Sequence, residues 1–139
     1  MRIVIINGPN LNLTGIREKD HYGEKSFEEY LEDLKRKFPE TGLDYFQSNV
    51  EGEIINKLHE EGFTADGIIL NAGGYTHTSV AIGDAVKAIN APVLEVHMSN
   101  IYAREPYRQE SYIAPAAAGT LTGMGLKGYE LAIWYFVTG

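Results

Sequence analysis

The sequence predicts an α/β fold, a doubly wound five-stranded parallel sheet with helices on both faces, arranged as a three-layer α/β/α sandwich. Two observations carry this. Short apolar runs alternate with segments of helical period, the pattern of βαβ units. The runs are almost unbroken in their apolar character, as strands buried on both faces are. The 139 residues suit a single domain, 1–139, and leave no room for a second.

The elements follow in order. Ile3-Val4-Ile5-Ile6 reads as the first strand. A helix starts at Ser26, with Glu29 three residues on as a capping box. Phe27, Tyr30, Leu31, Leu34 and Phe38 keep helical spacing, and Pro39 stops the helix. Leu43 to Phe46 reads as a second buried strand. Ser48-Asn49-Val50-Glu51 has capping-box spacing for a second helix, which closes at Gly62. Ile68-Ile69-Leu70 is the third strand, and a helix from about Ser79 to Ala88 follows. Val93-Leu94-Glu95-Val96 is the fourth strand, and a weaker fifth lies near Thr120-Leu121-Thr122. The last helix spans about Tyr129 to Val137, with Leu131, Ile133, Trp134 and Val137 available for burial. Five strands with right-handed crossovers give a flavodoxin-like sheet, in which ligands bind beyond the carboxyl ends of the strands.

Composition narrows the function. A net charge of −7 argues against nucleic acid as a partner. The absence of cysteine excludes thiolate catalysis, disulfides and cysteine-ligated metals. No apolar run is long enough to cross a bilayer, and Met1 runs into a strand without a signal-peptide pattern, so a cytoplasmic protein is expected.

Each of the first four strands turns polar at its carboxyl end. The segments are Asn7-Gly8-Pro9-Asn10-Leu11-Asn12, Gln47-Ser48-Asn49, Asn71 through Thr78 with His77, and His97-Met98-Ser99-Asn100. Turn chemistry explains any one of them. Four together, two with histidine, favour a site for a small hydroxyl-rich molecule. Glu95 and His97 are two apart on one strand and share a face. A carboxylate in an apolar strand needs a partner, so Glu95 is expected to hold His97 as a general acid, against the alternative of a Glu satisfied by backbone donors.

Two long polar segments flank this rim. Leu13 to Lys25 contains Arg17 and Tyr22 and has the length of a lid, and Tyr102 to Tyr112 carries Arg104 and Arg108. Three of the five arginines lie in these segments, which suits an anionic substrate, a tyrosine activated as a base, or both. Gly123-Met124-Gly125-Leu126-Lys127-Gly128 matches G-x-G-x-x-G but lies far from the first strand, so it is set aside as a nucleotide motif. His21, His59, His77 and His97 lack zinc spacing, and His59 reads as a surface residue.

At this point the sequence resembles the type II 3-dehydroquinate dehydratases of the shikimate pathway, over essentially its whole length. The resemblance rests on four separated motifs in order. They are Asn7 to Leu13 with Gly15, Arg17-Glu18 and Tyr22-Gly23; Gln47-Ser48-Asn49 with Glu51-Gly52; Tyr75 to Ala81 with Asp84-Ala85; and Glu95-Val96-His97 with Ser99-Asn100, Arg104-Glu105-Pro106 and Arg108.

The resemblance implies a cofactor-free and metal-free hydro-lyase that converts 3-dehydroquinate to 3-dehydroshikimate through an enolate. By position, Tyr22 resembles the base, Arg17 the lid cation that stabilises its phenolate, Asn10 the residue holding a water at the enolate, and His97 the acid. Asn71, His77, Met98, Ser99 and Arg108 match substrate-binding positions, with Ser99 and the backbone near Met98 on the carboxylate. Arg104 resembles a further cation near the base. Asp84 resembles a residue given to a neighbouring subunit's site, in a homododecamer of four trimers. No lysine stands at a strand's carboxyl end to form an imine; Lys57 and Lys87 fall on helices, and Lys19 and Lys25 near the lid. The sequence departs from the family's pattern at Thr14, at Lys19-Asp20, and at Ala72 and Gly74, which imply a looser third rim loop. The competing reading is a non-catalytic flavodoxin-like module that binds a polyol or nucleotide.

Overall fold

A computed structural model describes residues 1–16 and 25–139. Five strands form one parallel sheet: β1 (Arg2–Asn7), β2 (Gly42–Gln47), β3 (Gly67–Asn71), β4 (Val93–His97) and β5 (Gly119–Thr122). Their order is β2-β1-β3-β4-β5, the flavodoxin-like order, so the chain changes winding direction between β1 and β3. The four α-helices among the described residues are α1 (Phe27–Lys37), α2 (Glu51–Glu61), α3 (Val80–Ala88) and α4 (Lys127–Thr138).

The two-residue side-chain period of the strands divides the core in two. Ile3, Ile5, Ile69, Leu94 and Val96 face Phe27, Leu31 and Leu34 of α1 and Tyr129, Ala132, Ile133 and Phe136 of α4. Val4, Ile6, Ile68, Leu70 and Val93 face Ile54 and Leu58 of α2 and Ile82, Ala85 and Val86 of α3. β1, β3 and β4 carry apolar side chains on both faces, which is why they read as apolar runs, broken within β4 by Glu95.

Three expectations are corrected. β2 is an edge strand, and of its residues only Leu43 is fully buried, because no strand lies beyond it. Ser48 does not cap α2 from the N-cap position. That position is Val50, whose amide donates to the Ser48 hydroxyl, while the hydroxyl itself reaches Glu53. On α4, Leu131 and Trp134 are exposed, and the inward stripe runs through Tyr129, Ala132, Ile133 and Phe136. The N-caps at Ser26 and Ser79 hold, each hydroxyl accepting the amide three residues on.

Candidate active site

The sheet register sets Gln47, Asn7 and Asn71 side by side across β2, β1 and β3. Beyond them the turn after β1 packs on the turn after β3. The Gly8 amide donates to the Asn71 carbonyl at 2.7 Å, and a Cβ at Gly8 would come 2.5 Å from the Ala72 carbonyl oxygen, so only glycine fits. Ala72 is fully buried at this contact. Asn10 takes a left-handed conformation at φ 72° and donates its amide to Asn49 Oδ1 at 3.0 Å. Gln47 Nε2 donates to the Gly8 carbonyl and to Asn49 Oδ1, both at 3.1 Å, which ties the β2 and β1 ends together.

Beneath this floor, on the α1/α4 face, runs a neutral polar chain. The Tyr129 hydroxyl donates to Asn7 Oδ1 at 2.8 Å and accepts from Asn71 Nδ2 at 2.9 Å. Asn71 Oδ1 accepts the Gly73 amide at 3.2 Å. One amide hydrogen and one lone pair of Asn71 are thus committed to structure, and its remaining capacity faces the cleft. Burial pushes the Tyr129 phenol well above its ordinary value, and pushes Tyr45 up to about 12. Both stay protonated and are unsuited to act as bases.

On the opposite, α2/α3 face, β4 presents Glu95 and His97. Glu95 is fully buried, and its Oε2 lies 2.5 Å from His97 Nε2. The pairing expected from their spacing is therefore present. The Ser111 hydroxyl donates to the same Oε2 at 2.8 Å. His77 comes over from the β3 loop, its ring 6.1 Å from that of His97 and inclined by 23°. His77 Nδ1 lies 2.7 Å from the Glu110 carbonyl, which can only accept, so Nδ1 carries the hydrogen and Nε2 is left as an acceptor. Burial holds the His77 imidazole below its usual range; the Glu110 carbonyl pulls it up, while His97 and Arg108 push it further down. Two adjacent histidines are thereby set apart in role, one paired with a carboxylate and one kept neutral.

The loop after β4 completes the cleft. Arg104 Nη1 donates to Ser99 Oγ at 3.1 Å. Arg108 Nε donates to Glu105 Oε2 at 2.6 Å, and its guanidinium lies 5.1 Å from the centre of the Tyr107 ring. The glycine-rich segment set aside as a nucleotide motif has a different task. The Gly123 amide donates to the His97 carbonyl at 3.2 Å, the Gly125 amide to the Met98 carbonyl at 2.9 Å, and the Thr122 hydroxyl to the Ser99 carbonyl at 2.9 Å. Both glycines have positive φ, which lets this short loop turn its amides onto the end of β4.

A cavity of about 180 Å³ lies over these strand ends and is lined by Asn10, Asn71, His77, His97, Met98, Ser99, Arg104 and Arg108, with Pro9, Leu11, Thr14, Gly73, Gly74 and Ile101. Eight of the residues singled out from the sequence therefore converge on it. Asp84 does not; it is exposed on α3 and lines no part of the cleft of its own chain. Tyr22, Arg17 and the Lys19-Asp20 stretch lie outside the described residues. Thr14 is buried, its hydroxyl satisfied by the Leu11 carbonyl at 2.7 Å. Sequence reasoning missed Ser111, Tyr129 and Thr122. Ser111 carries a faint signal, since it stands just ahead of the Ile113-Ala114-Pro115 turn where serine hydroxyls take turn amides.

A volume of this size, with amides, hydroxyls and neutral His77 on its walls and two guanidinium groups at its mouth, suits a small polyhydroxylated anion. Comparison with known proteins agrees. The family model described as "Dehydroquinase class II" matches residues 1–137. The 3-dehydroquinate dehydratase of Caldicellulosiruptor bescii is 53% identical over 136 residues, covering 96% of this chain and 94% of that protein. The crystal structure of type II dehydroquinase from Butyrivibrio crossotus superposes with a TM-score of 0.91 at 43% identity, covering 99% of this chain and 97% of that one. That of Propionibacterium acnes gives 0.92 at 34% identity, with the same coverage.

Proposed function

The chain belongs to the class II dehydroquinase family, and from that premise we propose that it dehydrates 3-dehydroquinate to 3-dehydroshikimate by a base, an enolate and an acid. The observation that carries the reading is the buried Glu95–His97 pair at the carboxyl end of β4, with His97 on the wall of the cleft and Glu95 behind it. Tyr22, as a phenolate beside Arg17, takes the proton next to the ketone. The electron pair of that C–H bond forms the enolate, whose oxygen meets a water held by Asn10. As the carbonyl re-forms, the double bond moves and the neighbouring C–O bond breaks. His97 gives its proton to the departing hydroxyl, and water leaves. Ser99 and the backbone near Met98 hold the substrate carboxylate, Arg108, His77 and Asn71 its ring oxygens, and Arg104 adds positive charge near the base. No cofactor or metal enters the scheme. A non-catalytic binding module gives the Glu95–His97 pair no task.

The test is direct. The protein, given 3-dehydroquinate, should generate the ultraviolet absorbance of a conjugated enone acid, and activity should survive both borohydride and chelators. Tyr22→Phe should bind substrate yet lose on the order of 10²–10⁴ in kcat, the range of an acid–base group. Covalent trapping on a lysine, or near-normal turnover by Tyr22→Phe, overturns the mechanism. No turnover by the parent overturns the function.

Asp84 serves the cleft of a neighbouring subunit in a homododecamer of four trimers. The support is that its carboxylate is exposed, stays out of its own cleft, and shares α3 with the exposed apolar Val80. Mixing Tyr22→Phe with Asp84→Ala subunits after dissociation should restore part of the activity, because some mixed sites pair two intact residues. An Asp84→Ala variant equal to the parent removes this role. No helix among the described residues is long and apolar enough to cross a membrane, and the reading is of a cytoplasmic enzyme with a dissolved substrate.

A further inference from the structure

Ser111 meets the same oxygen of Glu95 as His97 does, and its hydrogen bonds have a forced direction. Its oxygen accepts the amide of Ile113 at 3.1 Å and that of Ala114 at 3.0 Å. Two amide donors fill the two lone pairs of a hydroxyl. The single O–H is then left to donate, and Glu95 Oε2 lies 2.8 Å away. That makes Oε2 an acceptor. His97 Nε2, 2.5 Å from the same oxygen, is the partner that must bring a hydrogen to it. With Nε2 so engaged, Nδ1 is the ring nitrogen available to the cleft.

Nothing else in the described protein steers this carboxylate. Among the described residues its protein partners are Ser111 and His97, both on Oε2, and Oε1 is buried without one. A second cavity of about 250 Å³ lies behind the pair, lined by Glu95, His97, Ser111, Gln109 and Thr122 among others. Its lining mixes polar and apolar groups, and it is large enough to admit water to Oε1, so among protein groups the carboxylate's orientation is left to Ser111 and His97.

We infer that Ser111 is a positioning residue for the acid: backbone amides fix its hydroxyl, the hydroxyl fixes Glu95, and Glu95 sets which nitrogen of His97 presents its hydrogen to the substrate. This rests on the reading of His97 as the acid.

The test is a double-mutant cycle read in kcat, with the histidine tautomer as a second readout. Ser111→Ala should lower kcat for 3-dehydroquinate about tenfold, the low end of what a hydrogen bond to a charged group is worth, with KM within about twofold. Ser111→Thr should recover most of that loss, since the second cavity gives the added methyl room. In a Glu95→Gln background Ser111→Ala should cost less than about twofold, because the relay is already broken. With the ring neutral, ¹⁵N shifts of His97 should report the Nε2–H tautomer in the parent and a mixture in Ser111→Ala. Should the alanine variant not fold, Ser111→Cys, a weaker donor of similar shape, should show the same pattern at smaller size. Equal losses in both backgrounds mean that Ser111 only braces its turn, and the inference fails. It fails also if kcat and the tautomer are unchanged. The tautomer readout needs no turnover, so a parent inactive on 3-dehydroquinate sinks the proposed function while the positioning role is still decided.

Discussion

Beneath the cleft the two faces of the sheet carry two polar chains that differ in kind. On the α1/α4 face, Asn7, Tyr129 and Asn71 exchange hydrogen bonds between neutral groups. On the α2/α3 face, Ser111, Glu95 and His97 form a chain with a carboxylate and an imidazole in it. The first chain has no proton to give near neutral pH, since burial holds its phenol protonated, and its effect is to keep the ends of β1 and β3 in place. The second can hold and move a charge. Burying neutral donors and acceptors costs little once they are paired, whereas a buried carboxylate persists only with a strong partner. The difference teaches where to look for chemistry: in the chain whose members can change protonation.

Substitutions can break this contrast. The largest expected effect is that of His97→Ala, which should lower kcat by about 10²–10⁴ and, because it strips the buried Glu95 of its partner, should lower the thermal midpoint as well. Unimpaired turnover would show that the charged chain takes no part in the reaction. Tyr129→Phe should cost stability without that loss of turnover. It leaves Asn7 Oδ1 and Asn71 Nδ2 without their partner and should cost about 1–3 kcal/mol in stability, measured by urea unfolding, with only a several-fold loss in kcat/KM. A collapse in kcat with stability intact would mean that the neutral chain is chemical after all.

The smallest effect belongs to Tyr45, whose hydroxyl is 3.5 Å from Asn7 Nδ2, at the limit of a hydrogen bond. Tyr45→Phe should cost less than about 0.5 kcal/mol at neutral pH. It should show itself in alkali instead. The folded Tyr45 phenol is raised to about 12 from an ordinary 10.0, so its contribution is complete below pH 10.0 and is lost as pH rises through about 12. The variant should flatten the fall in stability across that window. An unchanged slope would mean that Tyr45 is more open to water than its packing against Phe27 indicates.

Much of this is legible in the sequence where one physical signal dominates. β1, β3 and β4 are apolar runs, broken only by Glu95, because helices cover both their faces. β2 carries a similar run but lies at the edge, and strand order is not written in any single segment. On α4 the apolar count is high all round, so hydrophobicity alone points to Leu131 and Trp134, while packing against the sheet selects Ala132 and Phe136. In the site, strand-end residues such as Asn10, His77 and His97 are visible because the fold class says where to look. Ser111 is invisible by that rule. It sits in an irregular segment, and its contact with Glu95 depends on how that segment folds back over β4, which no periodicity records. Tyr129 reads as core filler, since nothing local shows that its hydroxyl meets two asparagines from distant strands.

The contact between Gly8 and Ala72 bears on any attempt to reshape this pocket by directed evolution. The turns after β1 and β3 touch backbone to backbone, and a Cβ at Gly73, itself at positive φ, would lie 3.1 Å from the Pro9 carbonyl oxygen. Random libraries at 8, 72 or 73 would therefore return mostly misfolded clones, and would say little about which substrates the pocket can be taught to accept. Gly74 is the opposite case. It lines the same cavity, is exposed, and a Cβ there meets nothing within 4 Å. A library confined to that one position can vary the pocket wall while leaving its foundations alone, and it is small enough to screen completely.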